Sequence, residues 1–419
     1  MLLRNQFSTG NQGVLRQQNL SGIMHHLYEN APISRIELAR LTGLNKTTVS
    51  SLISDLLENH FVIEIGNGEA KGSGRRTVLL DINPARGCIV SAEVGADFIS
   101  VICTNFAAEI TWRHRVIHPI TARREVILKR AIRILHRAVA AGTANGASLL
   151  GLSLAVPGLV DRASGTLLFA PNLGWSDVPL KAMLEQSFQT MVLVENEATQ
   201  AALGEQYFGV AEGCDEVLYI SAGVGLGGGL VLGGRIYSGS AGFASEFGHM
   251  TMEPDGELCK CGNRGCWETQ VSQAALFRHI HQAISKGTAT RLKTMIMKNA
   301  DRLTVEMVVE AAQDNDAVAL KALRKVGRHL GIGIASLINA LNPRLVVFGG
   351  VLSHAGDFLL PAVNEELQHR ALHWNQKAVR VVIAKYGSDA SVMGGIAKVC
   401  QAVLTNPLLA FPAASNNHH

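Results

Sequence analysis

Between residues 245 and 268 the chain reads SEFGHMTMEPDGELCKCGNRGCWE, and His249, Cys259, Cys261 and Cys266 stand there as His–x9–Cys–x–Cys–x4–Cys. Thiolate and imidazole are donors that zinc takes, and a closed set of four protein ligands makes a structural site with no open position for water. The other cysteines, Cys88, Cys103, Cys214 and Cys400, are far apart in sequence. In a chain read as cytoplasmic, such a cluster is a metal site rather than a disulfide frame. The expected cofactor is one structural zinc per chain, fixing a glycine-rich loop that core burial could not hold in shape.

Three polar groups travel with the thiols: Glu246, His249 itself and Glu268. Carboxylates beside an imidazole suit hydrogen bonding to the vicinal hydroxyls of a sugar. Glu246 and Glu268 could also steady His249 and the thiolates from outside the ligand set, and a metal-held loop can serve both ends. Asn196 and Glu197 follow the strand-like MVLVE, at a strand end where α/β folds bind ligands. Asn172, in FAPNLGW, is a further polar candidate on a turn-rich loop.

The elements that must position these groups begin near residue 85, where strand-like and helical runs start to alternate. GCIVSAEVG, FISVICTN and ASLLGLSLAVPG are strand-like, and VILKRAIRILHRAVAA is an amphipathic helix. VLYISAGVGLGGGLVLGG reads as strand, glycine loop, strand, and a similar arrangement returns in LINALNPRLVVFGGVL and YGSDASVMGGIAKVC. Two α/β halves, each with a glycine turn toward a cleft, give the outline that sugar kinases share with actin.

The N-terminal part follows a different pattern. In SRIELARLTGLNKTTVSSLISDLLENH, Ser34 and Glu37 have capping-box spacing, Gly43 supplies a turn, and Asn45 caps a second helix. Helix, glycine turn and helix is the helix-turn-helix layout, and FVIEIGN and RTVLLDI joined by GEAKGSGR add a wing. The groups expected to face DNA are Arg35, Asn45, Lys46, Thr47, Thr48 and Ser50, with Arg75 and Arg76 in the wing. Residues 1–80 carry 8 Lys and Arg against 6 Asp and Glu. So weak a basic excess favours a dimer reading two half-sites of palindromic double-stranded DNA.

The opening MLLRNQFSTGNQG has no basic segment followed by an apolar run, and no later stretch is apolar over a membrane span. The expected location is cytoplasmic, with no membrane partner. The divisions expected are residues 1–83 for the winged helix-turn-helix and 84–195 for a first lobe, which a C-terminal helix near 387–405 completes. Residues 196–386 make a second lobe with the zinc site and cleft, and 406–419 a disordered tail.

These motifs resemble the ROK family of repressors, uncharacterised reading frames and sugar kinases. The resemblance rests on EFGH with CKCGNRGCWE, on ENEATQAALGE, AGVGLGGG and LNPRLVVFGG, and runs from about residue 15 to 400. It implies a winged helix-turn-helix followed by a two-lobed, actin-like ROK body. The N-terminal helix-turn-helix matches the family's repressor branch, which answers to sugars such as xylose, N-acetylglucosamine and glucose. By that similarity the sugar pocket uses Asn172, Asn196, Glu197, Glu246, His249 and Glu268, and the protein is a dimer or dimer of dimers. The effector implied is a free sugar or a sugar phosphate.

The competing expectation is an ATP-dependent ROK sugar kinase with an added DNA-binding domain. Kinases of the family have an Asp-x-Gly-Gly-Thr phosphate loop where this chain has Glu93-Val94-Gly95-Ala96-Asp97, and a catalytic Asp where it has Glu197. Two carboxylates beside a single glycine repel nucleotide phosphates, and the extra methylene at 197 moves a base off its hydroxyl. No catalytic residue is therefore expected.

Overall fold

The structure, a computed structural model, describes residues 12–67, 78–299 and 302–407. It opens with α1 (Gln12–Asn30), where Leu20, Ile23, Met24 and Leu27 recur at helical spacing and are buried. After β1 (Ile33–Ser34), α2 (Arg35–Thr42) starts on the reciprocal cap. The Glu37 N–H donates to Ser34 Oγ and the Ser34 N–H to the Glu37 carboxylate, both at 3.2 Å. Gly43, at φ 71°, ends α2 in the left-handed conformation that a side chain resists. α3 (Lys46–Glu58) begins where the Thr48 N–H donates to Asn45 Oδ1 at 2.7 Å, and it buries Val49, Leu52, Ile53 and Leu56. β2 (Val62–Asn67) and β3 (Val78–Ile82) pair antiparallel, with β1 on the other edge of β3. The wing tip, with Arg75 and Arg76, lies outside the described residues, as does the C-terminal tail beyond residue 407.

The body repeats one sheet plan twice. β4 (Gly87–Val94), β5 (Phe98–Asn105) and β6 (Ile110–Ile117) form an antiparallel meander. α4 (Arg124–Thr143) lays Ile127, Ala131, Ile134, Leu135 and Ala138 against that meander before β7 (Ser148–Val156) joins β4 in parallel. A small separate sheet of β8 (Leu159–Asp161), β9 (Thr166–Ala170) and β10 (Trp175–Val178) follows. Then α5 (Leu180–Phe188) leads to β11 (Val192–Asn196), parallel to β7, and the finished order is β11-β7-β4-β5-β6. β4 is central and all of its residues are buried.

After α6 (Glu197–Phe208) the plan recurs. β12 (Val217–Ala222), β13 (Leu226–Leu232) and β14 (Arg235–Ile236) are the second meander. The metal loop and α7 (Glu268–Val271), α8 (Gln273–Ser285), α9 (Arg291–Lys298), α10 (Val305–Gln313) and α11 (Ala317–Leu341) are inserted before β15 (Leu345–Gly349). α12 (Gly356–Arg370) and α13 (His373–Ala378) precede β16 (Arg380–Ile383), and the order β14-β13-β12-β15-β16 mirrors the first sheet. The chain closes with α14 (Ala390–Thr405). Sequence reading anticipated the two halves but not the small sheet or the helical insertion, whose packing partners are distant in the chain.

α6 and α14 follow the fifth strand of their respective sheets and cross at the centre of the molecule. The crossing is backbone to backbone: a Cβ on Gly394 would overlap the Gln200 carbonyl, and one on Gly204 would lie 2.7 Å from the Gly394 nitrogen. The N-terminal head is docked on the same helix. Ile23, Leu27, Phe61 and Phe106 share one apolar cluster with Val399, Cys400, Val403 and Leu404 of α14. The Phe106 ring lies 5.8 Å from Phe61 and 6.3 Å from Tyr28, whose hydroxyl donates to Cys400 Sγ at 3.6 Å. Among the described residues, no helix is long and apolar enough to cross a membrane.

Candidate metal centre and adjoining cleft

The four metal-ligand candidates converge. One donor atom from each of His249, Cys259, Cys261 and Cys266 lies within 4.8 Å of all the others. His249 Nδ1 is 3.8 Å from Cys259 Sγ, and Cys261 Sγ is 3.7 Å from Cys266 Sγ. A tetrahedron with bonds of about 2.3 Å has edges of roughly 3.8 Å, so the donor set fits a zinc-sized ion. The loop is built for this approach. Isolated bridges pair Thr251 with Cys266 and Leu258 with Arg264, and Gly265, at φ 65°, lies so close to the Glu253 backbone that no side chain fits. Trp267 anchors it: the buried indole donates to the His329 carbonyl at 2.9 Å and presses on Gly333 of α11.

His249 faces two ways, with Nδ1 toward the thiols and Nε2 4.0 Å from Glu246 Oε2. Glu268 does likewise. Its Oε1 is 3.7 Å from Cys259 Sγ, and its Oε2 accepts the Leu226 N–H at 2.9 Å. The metal loop is thereby tied to the start of β13, and this tie accounts for part of the glycine run. A Cβ on Gly225 would overlap Glu268 Oε2 and lie 2.7 Å from Asn172 Nδ2, while one on Gly227 would lie 3.2 Å from Glu197 Oε1. Further along the run Gly227 and Gly229 lie against Ala198 and Ala202 of α6, and Gly228, on the other face, lies against the Phe247 ring.

All six sugar-site candidates, Asn172, Asn196, Glu197, Glu246, His249 and Glu268, line one cleft of about 360 Å³. Asn196 is chiefly a cap. The Ala198 and Thr199 N–H groups donate to its Oδ1 at 2.9 and 3.0 Å, and its Nδ2 donates to the Gly158 carbonyl and to Glu197 Oε2. It thus aims Glu197 into the cleft. Burial, reinforced by the nearby Glu93, raises the Glu197 pKa well above the ordinary carboxyl range. Burial likewise lifts Glu93 to about 7 against the pull of Arg115.

Sequence reading missed Arg115, Arg302, Glu306 and Ser391, which line the cleft from three separate segments, β6, residues 302–306 and α14, none of them carrying a motif. The turn at Glu93–Asp97 faces the same cleft, and there the Phe98 ring fills the space beside Gly95 with the Arg115 guanidinium 3.9 Å above it. On the head, Asn45, Lys46, Thr47 and Ser50 are exposed at the start of α3 and Thr48 is half-buried. Arg35 donates to Glu64 Oε1 of β2 at 2.9 Å, so its charge is partly engaged within the head.

The model of the ROK family matches residues 89–402 of this sequence. The chain belongs to the ROK family. A winged helix-turn-helix DNA-binding model matches residues 17–63. The chain is 33% identical over 403 residues to a xylose repressor of Caldicellulosiruptor bescii, covering 96% of this chain and 99% of that one. Among solved structures, a ROK family transcriptional regulator, a homolog of the E. coli MLC protein, superposes with TM-score 0.81 at 26% identity, over 94% of this chain and 98% of that one. A ROK family glucokinase from Streptomyces griseus, in complex with glucose and AMPPNP, matches with TM-score 0.65 at 31% identity, over 74% of this chain and 98% of that one. The quarter of this ROK chain missing from the glucokinase match is comparable in size to the head.

Proposed function

We propose that this protein is a sugar-responsive transcriptional repressor, in which a winged helix-turn-helix reads operator DNA and a ROK cleft binds a free sugar. The observation that carries the reading is α14. Its first turn lines the cleft at Ser391, and its last turns share a core with the head. A sugar that closes the cleft acts on the helix on which the head is seated, so it biases the head provided it binds the two geometries with different affinity.

α3 enters the major groove with Lys46, Thr47, Thr48 and Ser50 nearest bases and phosphates, and Arg75 and Arg76 of the wing reach the neighbouring minor groove or backbone. The protein acts in the cytoplasm as a dimer on a palindromic operator. Zinc held by His249, Cys259, Cys261 and Cys266 is structural. Were Nδ1 to ligate the metal, His249 would carry its hydrogen on Nε2 and would offer it to a sugar hydroxyl beside Glu246. Six carboxylates line the cleft against two guanidinium groups, which favours an uncharged sugar over a phosphorylated one.

The likeness to a glucokinase supports a second reading, phosphoryl transfer. Against it stand Glu93 and Asp97 at the phosphate turn and Glu197 in the place of the kinase Asp, so the repressor reading is preferred. The test is a titration of the purified chain against DNA upstream of its own gene, with and without free sugars, xylose first. Tight, salt-sensitive binding released by one sugar is expected. Absence of specific binding, with ATP turnover on a sugar, would replace this reading with the kinase.

A further inference from the structure

On the opposite side of the α6–α14 pair from the cleft lies a second cavity, of about 640 Å³. It is walled by His25 of α1, by Arg162 and Glu195 of the first lobe, by Arg235 of β14, and by the flanks of α6 and α14 including Lys398. The Glu195 carboxylate is buried and already bonded on all sides. It accepts from Arg162 Nε at 3.0 Å, from Lys398 Nζ at 2.7 Å and from the Asn196 N–H at 3.1 Å. Three cations against one carboxylate leave this cavity with a formal net charge of +2, His25 not counted. Two further acceptors at its wall, Gln206 Oε1 and Asn406 Oδ1, are buried without a hydrogen-bond partner. An unpartnered buried acceptor is costly, so both oxygens gain from an entering hydroxyl, while Gln206 Nε2 keeps its 2.8 Å bond to the Gly234 carbonyl.

We propose that this cavity is a second ligand site, distinct from the sugar cleft, for a small polyol phosphate. A phosphate monoester carries close to two negative charges near neutral pH, matching the excess, and guanidinium groups take its oxygens in pairs. The hydroxyls of the polyol supply the donors that Gln206 and Asn406 lack. The acidic cleft repels the same molecule, so the two sides of one helix pair sort neutral from phosphorylated ligands. The sites communicate through Glu195 and Asn196, adjacent at the end of β11, and through Gln200, which accepts from Ser153 Oγ at 2.9 Å and donates to the Ser391 carbonyl at 2.8 Å.

Calorimetric titration of the full chain with sorbitol 6-phosphate, sorbitol and inorganic phosphate tests this. Saturable binding of sorbitol 6-phosphate is expected, stronger than that of either fragment and weakening as salt rises. Arg235→Ser, at an exposed position, should weaken it by roughly 10-fold or more, the worth of a charge-assisted bond. Lys398→Met should weaken it further, with its thermal midpoint measured alongside to exclude unfolding. Glu306→Gln, on α10 at the cleft, should leave it unchanged. No saturable binding, equal affinity for inorganic phosphate, or binding that survives Arg235→Ser and disappears in Glu306→Gln would each overturn the proposal.

Discussion

Cys261 and Glu93 have residue-level consequences that do not depend on the identity of the sugar. Cys261→Ser replaces one of four converging donors with a weak one, so bound zinc should fall from one per chain toward none by elemental analysis, and sugar binding should fall with it. Sugar binding retained without metal would separate the loop from the cleft. Glu93 is held at about 7 chiefly by burial, with Arg115 opposing and Asp97 and Asp389 adding, and it in turn raises Glu197. A carboxyl whose folded value lies above the unfolded ~4.3 opposes folding once ionised, so the penalty is absent in acid and complete above about pH 7. Stability should therefore decline from about pH 4.5 to pH 7, by up to the order of 3 kcal/mol for this group. Glu93→Gln should flatten that decline when denaturation midpoints are compared across the range, and an unchanged slope would show that other groups dominate it.

At the level of elements, the α6–α14 crossing is the part least tolerant of change. Gly394→Val puts a branched side chain where the Gln200 carbonyl stands, forcing the helices apart at a cost of several kcal/mol in stability, on the order expected for severe overpacking. Any variant still folded should lose the sugar response before it loses DNA affinity, measured by anisotropy with and without sugar. Asn45→Ala is the local control. It removes one cap, costs about 1 kcal/mol, and should weaken DNA binding while sugar affinity stays as it was.

The contrast between these elements explains what the sequence disclosed. The Ser34–Glu37 and Asn45–Thr48 caps are contacts three residues apart, and the four metal-ligand candidates fall within one short loop, so spacing alone pointed to their convergence. Tyr28 and Cys400 are separated by 372 positions, and Arg162 and Lys398 meet at Glu195 from different elements. Contacts of that kind leave no local period, which is why the docking of the head and the second cavity appear only in three dimensions.

At the scale of the whole molecule, the proposed coupling joins a DNA head to a ligand cleft through one shared helix. The net charge of +4 is small, so DNA affinity must come from local groups and from paired heads. Replacing Arg75 and Arg76 with Ser should reduce the slope of log affinity against log salt by up to about 2 per chain, and an unchanged slope would take the wing off the DNA. The most direct test of the coupling is the affinity of the inducing sugar for the free protein and for the protein saturated with operator DNA. Coupling requires weaker sugar binding in the DNA complex, by the same factor by which the sugar weakens DNA binding. Equal sugar affinity in the two states would contradict it.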